Sequence, residues 1–159
     1  MNPRPGHGLL NPLVLVAIAV LALNDHWAKA RWPGLITGKL SDFAGLMFFP
    51  LFLQAGWELL TSIRGSVNAS VRVAQVAVIA TGLVFCAVKL WEPASLAYEW
   101  GLGALRWPLD VAVAWSSALP TPAPRAVSLT RDPTDLVALP ALAVSWVLAR
   151  RRVFDTAAK

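Results

Sequence analysis

The chain has 159 residues, of which 57% are hydrophobic and only 14% are charged. A soluble domain is roughly 45–50% apolar and about 25% charged. The composition therefore excludes an ordinary water-soluble enzyme or binding domain, and it predicts one integral membrane domain over residues 1–159. The net charge of +5 does not indicate a nucleic-acid partner. Basic residues flank the apolar runs, where they set membrane orientation and contact lipid phosphates.

Four apolar runs follow one another along the chain. They cover Leu9–Leu23, Phe43–Ile63, Val73–Val88 and Leu136–Ala149. Continuous Leu, Val and Ala without strict alternation is typical of membrane helices and not of barrel strands. Each charge-free core is shorter than the roughly 20 residues that cross a bilayer, so each helix must include polar flanking residues. We therefore expect an all-α protein with four transmembrane helices.

A short polar motif precedes the second run and recurs before the fourth. The matched residues lie 93 positions apart (130 − 37 = 93) and are Thr37 with Thr130, Ser41 with Thr134, and Asp42 with Asp135. A Lys-x-x-x-Pro motif also recurs, at Lys29–Pro33 and Lys89–Pro93. These matches predict two repeated helical hairpins, residues 9–63 and residues 73–152, related by an axis along the membrane normal.

The N-terminal run also has the features of a signal peptide. Arg4 precedes it, and Ala28-Lys29-Ala30 resembles a cleavage site. Because this run forms part of the first predicted repeat, we expect residues 1–30 to be retained.

The second hairpin contains an insertion, residues 95–124, that has two interpretations. Glu99, Gly103, Arg106 and Asp110 recur at helical spacing, and three tryptophans accompany them. The segment is an interfacial or re-entrant amphipathic helix with tryptophans at headgroup level. Alternatively, it is a fifth transmembrane helix with a buried Glu99–Arg106–Asp110 network. We favour the first interpretation, because only four spans place both copies of each motif on one side.

Arg150, Arg151 and Arg152 directly follow the last run. Basic residues are concentrated in cytoplasmic segments. The pattern predicts a multi-pass protein of the cell membrane with its C-terminus in the cytoplasm. In the four-span topology, both polar motifs then lie on the extracytoplasmic side.

Ionisable residues of both signs converge there and predict a ligand site. They are Asp25, His26, Lys29, Lys39, Asp42, Lys89, Glu92, Asp132 and Asp135. Carboxylates and a histidine suit a hard cation or acid–base work, and lysines suit a phosphate or carboxylate. The competing interpretation is structural: Asp42 and Asp135 cap the helices that follow them, while the lysines extend their charges toward water.

Three functions remain open at this point. The first is binding, or binding and transport, of a charged small molecule, ion or lipid headgroup at this polar mouth. The second is a membrane-embedded enzyme on a lipid-like substrate, with Asp25, His26 or Asp42 as base or metal ligand and Lys39 or Lys89 as anion clamp. The third is a non-catalytic assembly subunit. No cofactor, metal or oligomeric state follows from the residues. The segment from Gly34 to Ser41 fails the P-loop spacing, and Cys86 is a lone apolar-run cysteine.

Overall fold

The structure is a computed structural model, and it describes residues 5–65 and 70–157. Within these ranges the chain is all-α and contains no sheet. Two short 3-10 helices, His7–Leu10 and Pro133–Ala138, accompany five longer helices. The longer helices are α1 (Pro12–Arg31), α2 (Leu35–Ile63), α3 (Val71–Leu90), α4 (Glu92–Ser116) and α5 (Ala141–Ala157).

Three helices, α1, α2 and α3, are long and apolar enough to cross a membrane. The fourth apolar run differs from the prediction of a single transmembrane helix. It begins as the 3-10 helix Pro133–Ala138, breaks at Leu139 and Pro140, and continues as the 17-residue α5. Proline lacks an N–H and disfavours the α conformation in the residue before it, which explains the break.

Helix α1 begins with a matched cap and ends in an unusual turn. The Asn11 side chain accepts a hydrogen bond from the Leu13 N–H at 3.0 Å, and Pro12 occupies the first helical position. Near its other end, Asn24–Ala28 forms a π-helical turn. Such turns are rare within α-helices and are frequent at functional sites.

Helix α2 begins eight residues before the apolar run that predicted it. Gly34 precedes the helix, and the Thr37 hydroxyl accepts a hydrogen bond from the Gly34 N–H at 3.2 Å. Asp42 therefore lies inside α2 and does not cap it, contrary to the structural interpretation above. Asp135 also lies inside its 3-10 helix. That helix follows Asp132, whose carboxylate accepts from the Thr134 N–H at 2.8 Å.

The chain forms two compact units. The first contains α1, α2, α5 and α3 up to Leu83, and α2 packs against both α1 and α5. Its hydrophobic core joins these three helices through Val14, Leu51 and Leu148. Within the same unit, a Cβ added to Gly82 would lie 2.9 Å from the Leu142 side chain, so glycine allows α3 to approach α5 closely.

A proline in the middle of α2 is compensated from α5. Pro50 is fully buried and has no N–H, so the Leu46 carbonyl, four residues earlier, lacks its usual helical donor. The hydroxyl of Ser145, which is completely buried, donates to this carbonyl at 2.7 Å. One interhelical hydrogen bond thus satisfies the backbone group that the proline leaves open.

The second unit contains the end of α3, α4 and the segment that follows α4. After Ser116 the chain runs back along α4. Hydrogen bonds join the Trp115 indole to Thr121 (3.0 Å), the Trp107 indole to the Pro122 carbonyl (2.8 Å) and the Val127 N–H to the Glu99 carbonyl (3.1 Å). A Cβ at Gly103 would overlap the Arg125 carbonyl, so glycine is needed at this contact. The predicted insertion is therefore a helix covered by its own returning chain.

The pairing of Pro50 with Ser145 predicts a specific coupling between two substitutions. Ser145→Ala should lower the free energy of unfolding by about 1–3 kcal/mol, because a buried carbonyl loses its donor. In a Pro50→Ala background the Leu46 carbonyl regains a helical N–H, so Ser145→Ala should cost about 1 kcal/mol less. Reversible unfolding of the four proteins in mixed micelles measures this coupling, and additive effects would show that the hydroxyl does not replace the missing donor.

Candidate ligand-binding site

A hydrogen-bonded cluster connects the end of α1 to the start of α2. The Asn24 amide nitrogen donates to the Thr37 carbonyl at 2.5 Å and to the Ser41 hydroxyl at 2.6 Å. Ser41 in turn donates to Asp25 Oδ1 at 2.6 Å, and the Lys29 ammonium contacts the same oxygen at 2.7 Å. We call Asn24, Asp25, Lys29, Thr37 and Ser41 the Asn24 cluster. The π-turn positions the first two, since they are consecutive residues of it.

One acceptor in this cluster has no partner. Asn24 is 2% exposed, and its Oδ1 atom accepts no hydrogen bond within the described part of the chain. The amide orientation is fixed by the Thr37 carbonyl, which can only accept and therefore requires the amide nitrogen. A buried polar atom without a partner costs about 1–3 kcal/mol. Such an atom in a polar surrounding marks a position for a ligand donor or a water.

Two lysines of the predicted site are paired with carboxylates. Lys29 contacts Asp25, and both side chains are about two-fifths exposed. Lys39 contacts Asp135 at 3.0 Å, and Asp135 is buried. The second pair joins two residues 96 positions apart, so within the first unit it links Lys39 of the first polar motif to Asp135 of the second.

His26 is exposed and has a defined tautomer. Its Nδ1 atom lies 2.9 Å from the Ala22 carbonyl oxygen, which only accepts, so Nδ1 carries the proton. The Nε2 atom then bears the lone pair. Within the described ranges, no group of three His, Cys, Asp or Glu residues is arranged to hold a metal ion.

The other four predicted site residues are divided between the two units. Asp42 lies in α2 of the first unit. Lys89, Glu92 and Asp132 belong to the second unit. The Lys89 ammonium lies 5.6 Å from the centre of the Phe85 ring, and Glu92 occupies the first turn of α4, where the helix dipole favours a carboxylate. Asp25 with Lys29 and Lys39 with Asp135 therefore form direct pairs within the first unit.

A second polar cluster was not among the predicted site residues. Glu58 is 2% exposed, and its Oε2 atom accepts from the Gly6 N–H at 3.0 Å and contacts the Arg152 guanidinium at 3.4 Å. Gln54, also buried, lies 3.5 Å from the other carboxylate oxygen. We call these residues the Glu58 cluster. The sequence did contain a signal for this cluster, because an ionisable residue inside an apolar run indicates a paired or functional group.

Comparison with known proteins adds no relative. No protein-family model, no curated protein and no solved structure matches the chain. The arguments below therefore rest on the geometry of the chain itself.

The Glu58 cluster predicts an asymmetry between single and double substitutions. Glu58→Leu should lower the free energy of unfolding by about 3–5 kcal/mol, because it leaves the largely buried Arg152 charge without this carboxylate. Glu58→Leu combined with Arg152→Met removes both charges and should be less destabilised than Glu58→Leu alone. Unfolding in mixed micelles compares them, and equal losses would mean that the ion pair is not coupled.

Proposed function

We propose that the chain crosses the bilayer four times and binds a small charged or polar group at the extracytoplasmic end of α1 and α2. In this topology α1, α2 and α3 are the first three spans. The fourth crossing is made jointly by the 3-10 helix Pro133–Ala138 and α5. This keeps two hairpins, as the sequence predicts, but replaces the last single helix by a broken segment.

The two ends of α2 support the fourth crossing. Lys39 pairs with Asp135, and Glu58 pairs with Arg152. Along α2 these positions are 19 residues apart (58 − 39), which is a rise of about 28 Å at 1.5 Å per residue. The hydrocarbon core of a bilayer is about 30 Å thick. The segment from Asp135 to Arg152 therefore follows α2 over about the thickness of a membrane, with one charged pair at each end.

The position of Asp135 also supports an interfacial or re-entrant α4. In the four-span topology α3 ends at Leu90 on the same side on which α2 begins. Only Trp91 separates α3 from α4, and the chain returns at Asp135 to Lys39, near the start of α2. Residues between them leave and return on one side. Exposed Trp100 and Trp115 suit the headgroup region there.

The observation that carries the binding proposal is the unsatisfied Asn24 oxygen. It lies in the π-turn of α1, one hydrogen bond from Ser41 and two from Asp25. A purely structural cluster is expected to satisfy its buried polar atoms. A site that receives a ligand retains acceptor capacity until the ligand binds. The Lys29–Asp25 ion pair supplies charge of both signs beside this position.

The topology predicts which positions share a side of the membrane. With Cys86 replaced by Ala, single cysteines at Trp32 and Leu119 should both react with an impermeant thiol reagent added outside intact cells. A cysteine at Gly65 should react only after permeabilisation. In the five-span alternative Trp32 and Leu119 lie on opposite sides, so protection of one of these two positions from the external reagent would overturn the four-span proposal.

The binding proposal predicts that the protein holds a co-purifying or added ligand at the Asn24 cluster and that substitutions in this cluster release it. Native mass spectrometry of the full chain released from mild detergent should show a bound small molecule or lipid. Asn24→Ala and Asp25→Asn should reduce its occupancy, because each removes an acceptor of the cluster. Arg106→Gln, on the exposed face of α4, is the control and should retain it. Equal occupancy in all four proteins would contradict a site at Asn24.

A further inference from the structure

We infer that the group bound at the Asn24 cluster is a primary ammonium, held by Asp25 and Asn24. This inference rests on the proposed function and names the chemistry of the same site. The inference rests on two consecutive residues of the π-turn. Asp25 has a half-exposed carboxylate, and Asn24 has a buried amide oxygen without a hydrogen-bond partner.

Apart from the exposed Lys29 ammonium, which already contacts Asp25, the cluster offers acceptors to a ligand. Lys29 and Ser41 both contact Oδ1 of Asp25, so Oδ2 keeps its acceptor capacity. Both donors of the Asn24 amide are engaged, by Thr37 and Ser41, while its oxygen has no partner. A ligand that forms hydrogen bonds to these atoms must bring N–H or O–H groups. An ammonium brings three donors and a charge, and charge-assisted hydrogen bonds are about twice as strong as neutral ones.

An anionic ligand fits these contacts poorly. Phosphate or carboxylate requires a cation, but Lys29 already contacts Asp25 and Lys39 already contacts Asp135. Drawing either lysine away leaves a carboxylate without this partner, and Asp25 would repel the incoming anion. The lysines therefore act here as counter-ions of the carboxylates and not as anion clamps.

Lys29 has a further role, because its side chain already places an ammonium on Asp25. It is an internal competitor of the ligand. Both side chains are about two-fifths exposed, so Lys29 can move into the headgroup region when the ligand arrives. Removing the Lys29 charge should consequently strengthen ammonium binding, whereas it would weaken binding of an anion.

The ammonium can come from a lipid headgroup or from a free amine. Trp27 lies in the π-turn and Trp32 directly follows α1. Their ring centres are 5.0 Å apart in an edge-to-face arrangement, and both side chains are more than half exposed. Tryptophans of this kind lie at headgroup level, which gives a lipid direct access. Phosphatidylethanolamine and phosphatidylcholine are matched probes, because only the first has N–H donors. Ethanolamine and choline are the corresponding soluble pair.

The test uses the full chain in nanodiscs with equal amounts of the two lipids. Native mass spectrometry after release should show preferential retention of phosphatidylethanolamine. Asp25→Asn should lower that preference about tenfold, since a hydrogen bond to a charged group is lost, and Asn24→Ala should lower it as well. Lys29→Gln should raise it, and Arg106→Gln, which removes a positive charge from an exposed ion pair of α4, is the control. Displacement of the bound lipid by free ethanolamine, but not by choline, would assign recognition to the ammonium alone.

The outcomes separate the inference from the proposal beneath it. Equal retention of both lipids, or weaker binding in Lys29→Gln, overturns the ammonium. The proposed site stands in that case if Asp25→Asn still lowers the total lipid retained. If no lipid or amine is retained and Asp25→Asn changes nothing, the cluster holds only a buried water and both conclusions fall. Circular dichroism and elution volume confirm that each variant folds. If Asn24→Ala does not fold, the isosteric Asp25→Asn variant still tests the inference.

Discussion

The first unit depends on one interhelical hydrogen bond that replaces a bond missing from the backbone of α2. A transmembrane helix satisfies its backbone groups internally, because hydrocarbon offers no donors. Pro50 breaks this rule in α2, and the Ser145 hydroxyl restores it from α5. Because the open carbonyl is a single atom at a fixed height, the bond also sets the longitudinal register of the two helices. A helix pair held only by apolar contacts could slide more easily, since lipid is as apolar as leucine.

That register determines the polar contacts at both ends. With Ser145 fixed opposite Leu46, Asp135 reaches Lys39 and Arg152 reaches Glu58. Charged residues near hydrocarbon are costly unless they are paired or face protein. The two pairs therefore depend on the central hydrogen bond, while the Asn24 cluster depends on the start of α2 that the Lys39 pair holds in place.

Composition and apolar periodicity predicted an all-α membrane protein and located three long helices, because burial in lipid leaves a strong signal over many residues. The boundaries were less accurate. Asp42 was expected near a helix start, but Thr37 hydrogen-bonds at the true N-terminus, and local hydropathy does not report that geometry. The Lys29–Asp25 pair has the i, i+4 spacing of neighbours on a helix and can be identified from the sequence. The partner of Lys39 is set by a tertiary contact that no spacing rule supplies. Glu58 could be identified in the sequence as a charged residue within an apolar run, but its distant ion-pair partner could not. The orphan Asn24 oxygen has no sequence signal at all.

The contacts between α2 and residues 135–152 have a consequence for the synthesis of the protein. They join residues 96, 99 and 94 positions apart. A ribosome extends a chain by about 5–20 residues per second, so α2 leaves it several seconds before its partner segment exists. During that interval Glu58 and the Leu46 carbonyl must be sheltered by the insertion machinery, by water or by neighbouring chain. The later-made segment, residues 135–152, completes the first unit. A chain that stops before Asp135 would lack these partners of Lys39, the Leu46 carbonyl and Glu58.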